Sequence, residues 1–245
     1  MSAGPDAVAP MVDAGLLARA RALAAGPRRL LGVAGAPGAG KSTLAAALVA
    51  ALGGRAVLVP MDGFHFAQAE LERLGRADRK GAPDTFDAAG LVALLARLRP
   101  GGSAVEGSVG ESSVVEGTAD VVYAPTFDRT LEEPVAGAVP VGSDVPLVVV
   151  EGNYLLHDDG AWARVAPHLD ETWFVEVDDA VRLERLVARH VAFGKSPDAA
   201  RAWATGPDEA NARLVAAGRD RADVVVHERA GAWVAAPARL GGCPT

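Results

Sequence analysis

Eight consecutive residues, Gly35-Ala36-Pro37-Gly38-Ala39-Gly40-Lys41-Ser42, constrain this chain more than any other feature. They match G-x-x-x-x-G-K-[ST], a loop whose glycines let the backbone wrap an anion without Cβ clashes, its amides turned inward. Such a loop needs a buried strand before it and a helix after it, the helix aiming its positive N-terminal end at the phosphates. Both are legible. Leu30 to Ala34 is a short apolar run closed by Gly35, and Ser42 to Leu52 is rich in Ala and Leu and stops at Gly53-Gly54. Gly35 to Ser42, with Thr43 behind it, is therefore the candidate nucleotide site. Lys41 would reach the β- and γ-phosphates, and Ser42 would offer its hydroxyl to Mg²⁺. A dinucleotide reading is poor, because Thr43 stands where the third glycine of that fingerprint belongs and Lys41 is present.

Strand and helix signals alternate along the rest of the chain. Strands are predicted at Ala56 to Pro60, Val121 to Ala124, Leu147 to Val150, Trp173 to Val177 and Asp223 to Val226. Helices are predicted at Leu16 to Ala25, Ala88 to Leu98, Ala180 to Phe193 and Glu209 to Ala217. That alternation predicts an α/β fold of the P-loop NTPase kind, a mostly parallel sheet flanked by helices. Residues 1–27 read as a helical lead-in, 28–229 as one domain, 101–119 as a flexible surface insertion, and 230–245 as a tail.

Two acids follow apolar strands. Asp62 ends the strand after the phosphate loop, at the sheet edge where ligands of such folds bind, and could take the proton of an attacking hydroxyl. The alternative is that Asp62 caps a turn or a helix, since Asp-Gly is a strong turn signal. Leu147-Val148-Val149-Val150-Glu151 has the shape of a strand ending in an acid that orients Mg²⁺. Arg182, Arg185 and Arg189 are spaced by three and four, so one helical face presents three guanidinium groups suited to a lid over a triphosphate, or simply to a solvated surface. His65 fits a substrate-pocket or supporting group better than a base, and fits a plain surface histidine equally well.

The remaining composition excludes more than it assigns. A formal charge of −7 argues against a broad nucleic-acid or anionic-membrane surface, so an anionic ligand needs a local basic pocket. Lysine is scarce, with Lys41, Lys80 and Lys195 the only ones. The single cysteine, Cys243, gives no disulfide or zinc spacing, and no apolar run reaches membrane-spanning length, so a cytoplasmic setting is expected. The four tryptophans, Trp162, Trp173, Trp203 and Trp233, read as packing residues.

Taken in order, the phosphate loop, Met61-Asp62-Gly63-Phe64-His65, Arg79-Lys80-Gly81-Ala82-Pro83-Asp84-Thr85-Phe86-Asp87, Tyr123-Ala124-Pro125-Thr126-Phe127-Asp128-Arg129, Glu151-Gly152-Asn153-Tyr154-Leu155-Leu156 and the arginine helix resemble the P-loop kinases of the phosphoribulokinase and uridine kinase superfamily. The likeness runs from about residue 28 to 226 and is strongest to the bacterial pantothenate kinase branch and its nucleoside/nucleotide kinase-like relatives. The resemblance implies ATP and Mg²⁺ as cofactors and a small-molecule hydroxyl as acceptor. By position it implies Asp62, Lys41 and Arg189 as catalytic residues, Arg185 and Arg189 at the nucleotide, and Ser42 and Glu151 at the metal. It further implies Asp62, His65, Arg79, Lys80, Tyr123, Arg129, Glu151 and Asn153 around the acceptor. Dimers are common in these families, which makes a homodimer compatible with the resemblance. Gly63-Phe64-His65-Phe66, Pro125 and Arg129 depart from the pantothenate and uridine patterns, so pantothenate, a nucleoside and a sugar such as fructose stay open as acceptors. The rival is a regulatory nucleotide-binding protein that hydrolyses NTP without an acceptor. No Asn-Lys-x-Asp guanine-reading motif supports it.

Overall fold

The computed structural model describes residues 11–100 and 121–236. Nine strands and seven α-helices occur among them: β1 (Met11–Val12), α1 (Ala14–Leu23), β2 (Arg29–Gly35), α2 (Lys41–Leu52), β3 (Ala56–Pro60), α3 (Gln68–Arg73), α4 (Ala88–Leu98), β4 (Val122–Asp128), β5 (Glu133–Val141), β6 (Leu147–Gly152), β7 (Glu171–Glu176), α5 (Asp179–Ala192), α6 (Pro197–Thr205), α7 (Pro207–Ala216), β8 (Val224–Arg229) and β9 (Ala232–Ala235).

Alternation of side chains along the central strands explains why they are apolar throughout. Leu30 and Ala34 of β2, Val148 and Val150 of β6 and Phe174 of β7 enter the core on one face, beneath α4 and part of α7. Leu31 and Val33, Leu147 and Val149, and Trp173 and Val175 enter the other, beneath α1 and α2. A strand covered on both faces has no polar side to show, which is the signature of a parallel sheet wrapped by helices. The helices meet it through matching stripes. Leu91, Leu94, Leu95 and Leu98 of α4 are buried at the i, i+3, i+4, i+7 spacing, and the Asp87 side chain caps the helix by accepting from the Gly90 amide at 2.8 Å.

The strand order is β1-β9-β8-β7-β2-β6-β3. The five strands from β8 to β3 are parallel, and β9 returns antiparallel to β8. The expected α/β sheet is thus present, and it is wider than the 28–229 segment, since β1 pairs with β9 along one edge. Strand β4 stands apart from it. Together with β5 it forms a two-stranded antiparallel hairpin, with an irregularity between Ala124 and Thr126. The 101–119 insertion lies outside the described residues. Among the described residues no helix is long and apolar enough to cross a membrane.

This topology brings the candidate chemistry to one place. Strand β6 lies between β2 and β3, with Val33 opposite Glu151 and Pro60 opposite the same Glu151. The loop after β2, the acid ending β6 and the turn after β3 therefore share one carboxyl edge, where ligands of such sheets bind.

Candidate active site

Glycine shapes the loop after β2 where no other residue would serve. Gly38 and Gly40 have φ of 81° and 94°, and a Cβ on Gly38 would lie 2.9 Å from the Arg182 carbonyl oxygen. Gly40 also caps α2 without a side-chain hydrogen bond. The first-turn amides of a helix have no carbonyl of their own to bond, so they stay available to an anion. Lys41 is buried, and its ammonium donates to the Ala36 carbonyl at 3.0 Å, across the loop it closes. Burial holds that ammonium below the ordinary lysine range, while the charges of Glu151 and Asp62 oppose the shift.

Ser42 donates its hydroxyl hydrogen to Glu151 Oε1 at 3.2 Å. Glu151 is 6% exposed, and burial, followed by the nearby charge of Asp62, pushes its carboxyl up to about 7. A neighbouring cation would reverse that shift by favouring the ionised form. Asp62 follows β3 in a single helical turn, Met61–Phe64. Its Oδ2 accepts from Arg129 Nη2 at 3.1 Å. The turn is seated on the hairpin, because a Cβ on Gly63 would fall 2.5 Å from the Pro125 carbonyl oxygen.

His65 Nδ1 lies 2.8 Å from the Asp62 carbonyl oxygen, which can only accept, so Nδ1 carries the proton. Its ring sits 3.9 Å from that of Phe86 and 5.0 Å from that of Phe127. Burial lowers its pKa, so the imidazole is neutral, and its packing against the two rings makes it part of the cleft wall.

These groups line one cleft of about 350 Å³ with Pro37, Lys80, Asn153 and Arg189. Burial and the proximity of Arg129 both lower the pKa of the Arg189 guanidinium, and Asp208, Asp62 and Glu151 counter them. Of the sequence candidates, Lys41, Ser42, Asp62, His65, Lys80, Arg129, Glu151, Asn153 and Arg189 meet here. Arg79 and Tyr123 do not. Arg79 is tied to Asp84 at 2.8 Å on the surface, and Tyr123 is 56% exposed. Tyr123 is six residues from Arg129 along an extended strand, about 20 Å at strand rise, so one hairpin cannot bring both to the same spot.

The three arginines of α5 also separate. Arg189 enters the cleft, whereas Arg185 pairs with Glu228 at 2.7 Å, with Nη1 3.6 Å from where a Gly40 Cβ would be. Arg182 is buried. It bonds Asp179 at 3.0 Å and also Glu209, joining α5 to α7, and so belongs to the packing between these helices. The sequence reading missed Lys195 and Trp203, whose ammonium and ring lie 4.5 Å apart in the cleft wall, and the buried pair of His190 Nε2 and Asp208 Oδ2 at 2.7 Å. The other three tryptophans are core residues, as expected.

A phosphate loop at the carboxyl edge of this sheet, with acids ending β6 and following β3, defines the class as a P-loop nucleotide-binding protein. Searches with protein-family profiles return no match. Individual proteins do match. A solved structure from Silicibacter sp. TM1040, provisionally named a fructose transport system kinase, is 38% identical and superposes with a TM-score of 0.71 over 86% of this chain and 97% of its own. The ATP-dependent kinase-like protein notR' of Aspergillus versicolor is 34% identical over 146 residues, 58% of this chain and 77% of that protein. A protein of Schizosaccharomyces pombe, provisionally named a uridine kinase, is 32% identical over 179 residues, 68% of each chain. The chain belongs to the P-loop kinases related to uridine kinase, ATP-dependent enzymes that phosphorylate small molecules. These relatives lend no support to the pantothenate kinase branch in particular.

Proposed function

We propose that this kinase transfers the γ-phosphoryl group of ATP, with Mg²⁺, to a hydroxyl of a small metabolite held in the cleft, with Asp62 as the general base. One observation carries the reading: Asp62 shares a single cleft with Lys41, Ser42 and Glu151, so a base for the acceptor stands beside the groups suited to the donor. The residues fit both donor and metal. Uncapped first-turn amides and the Lys41 ammonium suit phosphate oxygens, and Arg189 adds a planar cation. The Ser42 hydroxyl and the Glu151 carboxylate are hard oxygen donors of the kind Mg²⁺ takes alongside phosphates. When bound, Mg²⁺ supplies neutralisation of charge on the transferred group and the departing diphosphate.

Asp62 Oδ accepts the acceptor's hydroxyl proton as that oxygen forms its bond to the γ-phosphorus and the bond to the β-phosphate oxygen breaks, leaving ADP. Lys41 and Arg189 hold the phosphates in line. Arg185, whose Nη1 lies near Gly40, is our candidate for the nucleoside side of the donor, and the catalytic unit of residues 28–229 is extended by α1 and by the strands β1 and β9 beyond those bounds.

Asp62→Asn is expected to lower acceptor-stimulated ADP release by at least about a thousandfold while ATP affinity changes less than about threefold. Lys41→Ala should instead weaken nucleotide binding itself. Calorimetric titration with ATP, paired with turnover assays, separates the two. An Asp62→Asn enzyme with undiminished turnover removes Asp62 from this role.

A further inference from the structure

All three lysines of the chain line the cleft, although it holds a small fraction of the surface of a protein with formal charge −7. Among the described residues none of them lies within salt-bridge distance of a carboxylate. Lys41 is bonded to the Ala36 carbonyl, Lys80 to the Glu132 carbonyl at 2.9 Å, and Lys195 stands over the Trp203 ring. The arginines behave differently, since Arg19, Arg29, Arg73, Arg79, Arg219 and Arg221 each hold a carboxylate.

Lys41 and Arg189 suffice for the donor phosphates. Lys80, Arg129 and Lys195 remain. Lys80 and Arg129 approach the same Phe127 ring, at 5.1 and 5.9 Å from its centroid, and Arg129 also lies 5.8 Å from the Phe193 ring at the end of α5. The hairpin and the lid helix thus meet across Arg129, whose guanidinium donates to Asp62. Four acids line the same cleft: Asp62 holds Arg129, Glu151 accepts from Ser42, Asp208 is bonded to His190, and Glu132 gives Lys80 its backbone carbonyl. Two lysines that no carboxylate holds among the described residues, beside an arginine paired with Asp62, favour a ligand that brings a further anion.

We propose that the acceptor is a small hydroxylated metabolite carrying an anionic group, a carboxylate or a phosphate ester, and that Arg129, Lys80 and Lys195 bind that group. Arg129 is then a specificity residue with a second consequence. Its guanidinium is held by Asp62 in the acceptor-free protein, and an acceptor anion competes for it, leaving the Asp62 carboxylate to the hydroxyl. This inference rests on the kinase reading above and deepens it.

Matched acceptors that differ only in the anion test it: glycerol against glycerate and glycerol 3-phosphate, and pantothenyl alcohol against pantothenate, with fructose and uridine as neutral references. ADP release gives kcat/KM for wild type, Arg129→Gln, Arg129→Lys and Lys80→Gln, with Arg73→Gln as a surface-charge control. The expected result is a preference on the order of 100-fold for an anionic member. That preference should fall at least tenfold in Arg129→Gln, be partly restored in Arg129→Lys and be unchanged in Arg73→Gln, and the glycerate and phosphate arms tell a carboxylate from a phosphate ester. Turnover of fructose, uridine or another neutral compound at or above the anionic rate overturns the inference and leaves the kinase reading intact. If no compound stimulates turnover, the kinase reading is the one challenged. Calorimetric titration of the ADP-bound protein with glycerate and glycerol 3-phosphate then decides the inference: saturable binding lost in Arg129→Gln supports it, and binding no tighter than that of glycerol overturns it.

Discussion

Replacing Gly38 by alanine probes whether the phosphate loop is clamped under α5. Gly38 has φ of 81°, and an added Cβ would stand 2.9 Å from the Arg182 carbonyl oxygen and 2.8 Å from Leu186 Cγ. A left-handed backbone costs a residue with a Cβ about 1–2 kcal/mol, and forcing a methyl into packed surroundings costs about 1–3 kcal/mol more. Reduced freedom of the unfolded chain returns roughly 0.4–1 kcal/mol. The net loss is about 1–5 kcal/mol, which lowers Tm by roughly 2–20 °C in a chain of this size without abolishing the fold. Gly54→Ala supplies the control. Nothing lies within 4 Å of its Cβ position and its backbone is not left-handed, so the same chemical change should raise Tm by about 1–4 °C. Thermal unfolding followed by circular dichroism, with urea titrations to check that m is unchanged, measures both. A Gly38→Ala protein melting within about 2 °C of wild type would refute the packing argument.

Two further perturbations address charge. Glu151 binds its proton more tightly folded, at about 7, than at its ordinary 4.5, so the nucleotide-free protein loses stability as pH rises through that window. Glu151→Gln removes the loss, and its advantage over wild type should grow between pH 5 and 8 to on the order of 3 kcal/mol at most, as urea unfolding without nucleotide would show; a pH-independent difference contradicts the assigned cause. Arg182→Met removes the buried guanidinium from Glu209, which is partly exposed and keeps Arg213 at 3.5 Å, and is expected to destabilise by roughly 1–3 kcal/mol while ADP affinity changes less than about threefold, measured by unfolding and calorimetry. A large loss of affinity with normal stability would instead return Arg182 to the nucleotide.

Elements whose signals are local were legible from sequence. Strand Ala56–Pro60 and helix Ala88–Leu98 occur at the expected bounds, the first a buried run between Gly-rich segments, the second started by Asp87. The hairpin was half seen. Strand β5 contains Pro134, Gly137 and Pro140, residues that argue against a strand in a central sheet, and they are tolerated because among the described residues β5 has β4 as its only sheet partner. Helix α6 has little apolar content to reveal its period, although Ser196-Pro197 is a start signal, and the Ser196 side chain does cap it. The acids Asp62 and Glu151 were found because strand ends converge in parallel sheets. Lys195, Trp203 and Asp208 come from the segment running from the end of α5 through α6 into α7, whose approach to the cleft is a tertiary fact. The arginine stripe failed in a more instructive way. Positions 182, 185 and 189 do share a helical face, but seven residues span about 10 Å of axis. Arg182 is thereby carried beneath the loop while Arg189 reaches over the cleft.

The gathering of every lysine into one cleft also makes ordinary amine chemistry selective in this protein. An acylating reagent that scatters over the surface of most proteins has here, besides the α-amino group, side-chain targets only at the mouth and floor of the cleft. Mass spectrometry of such labelling would read out which ends of the cleft a nucleotide or an acceptor shields, residue by residue, without a substitution or an engineered tag.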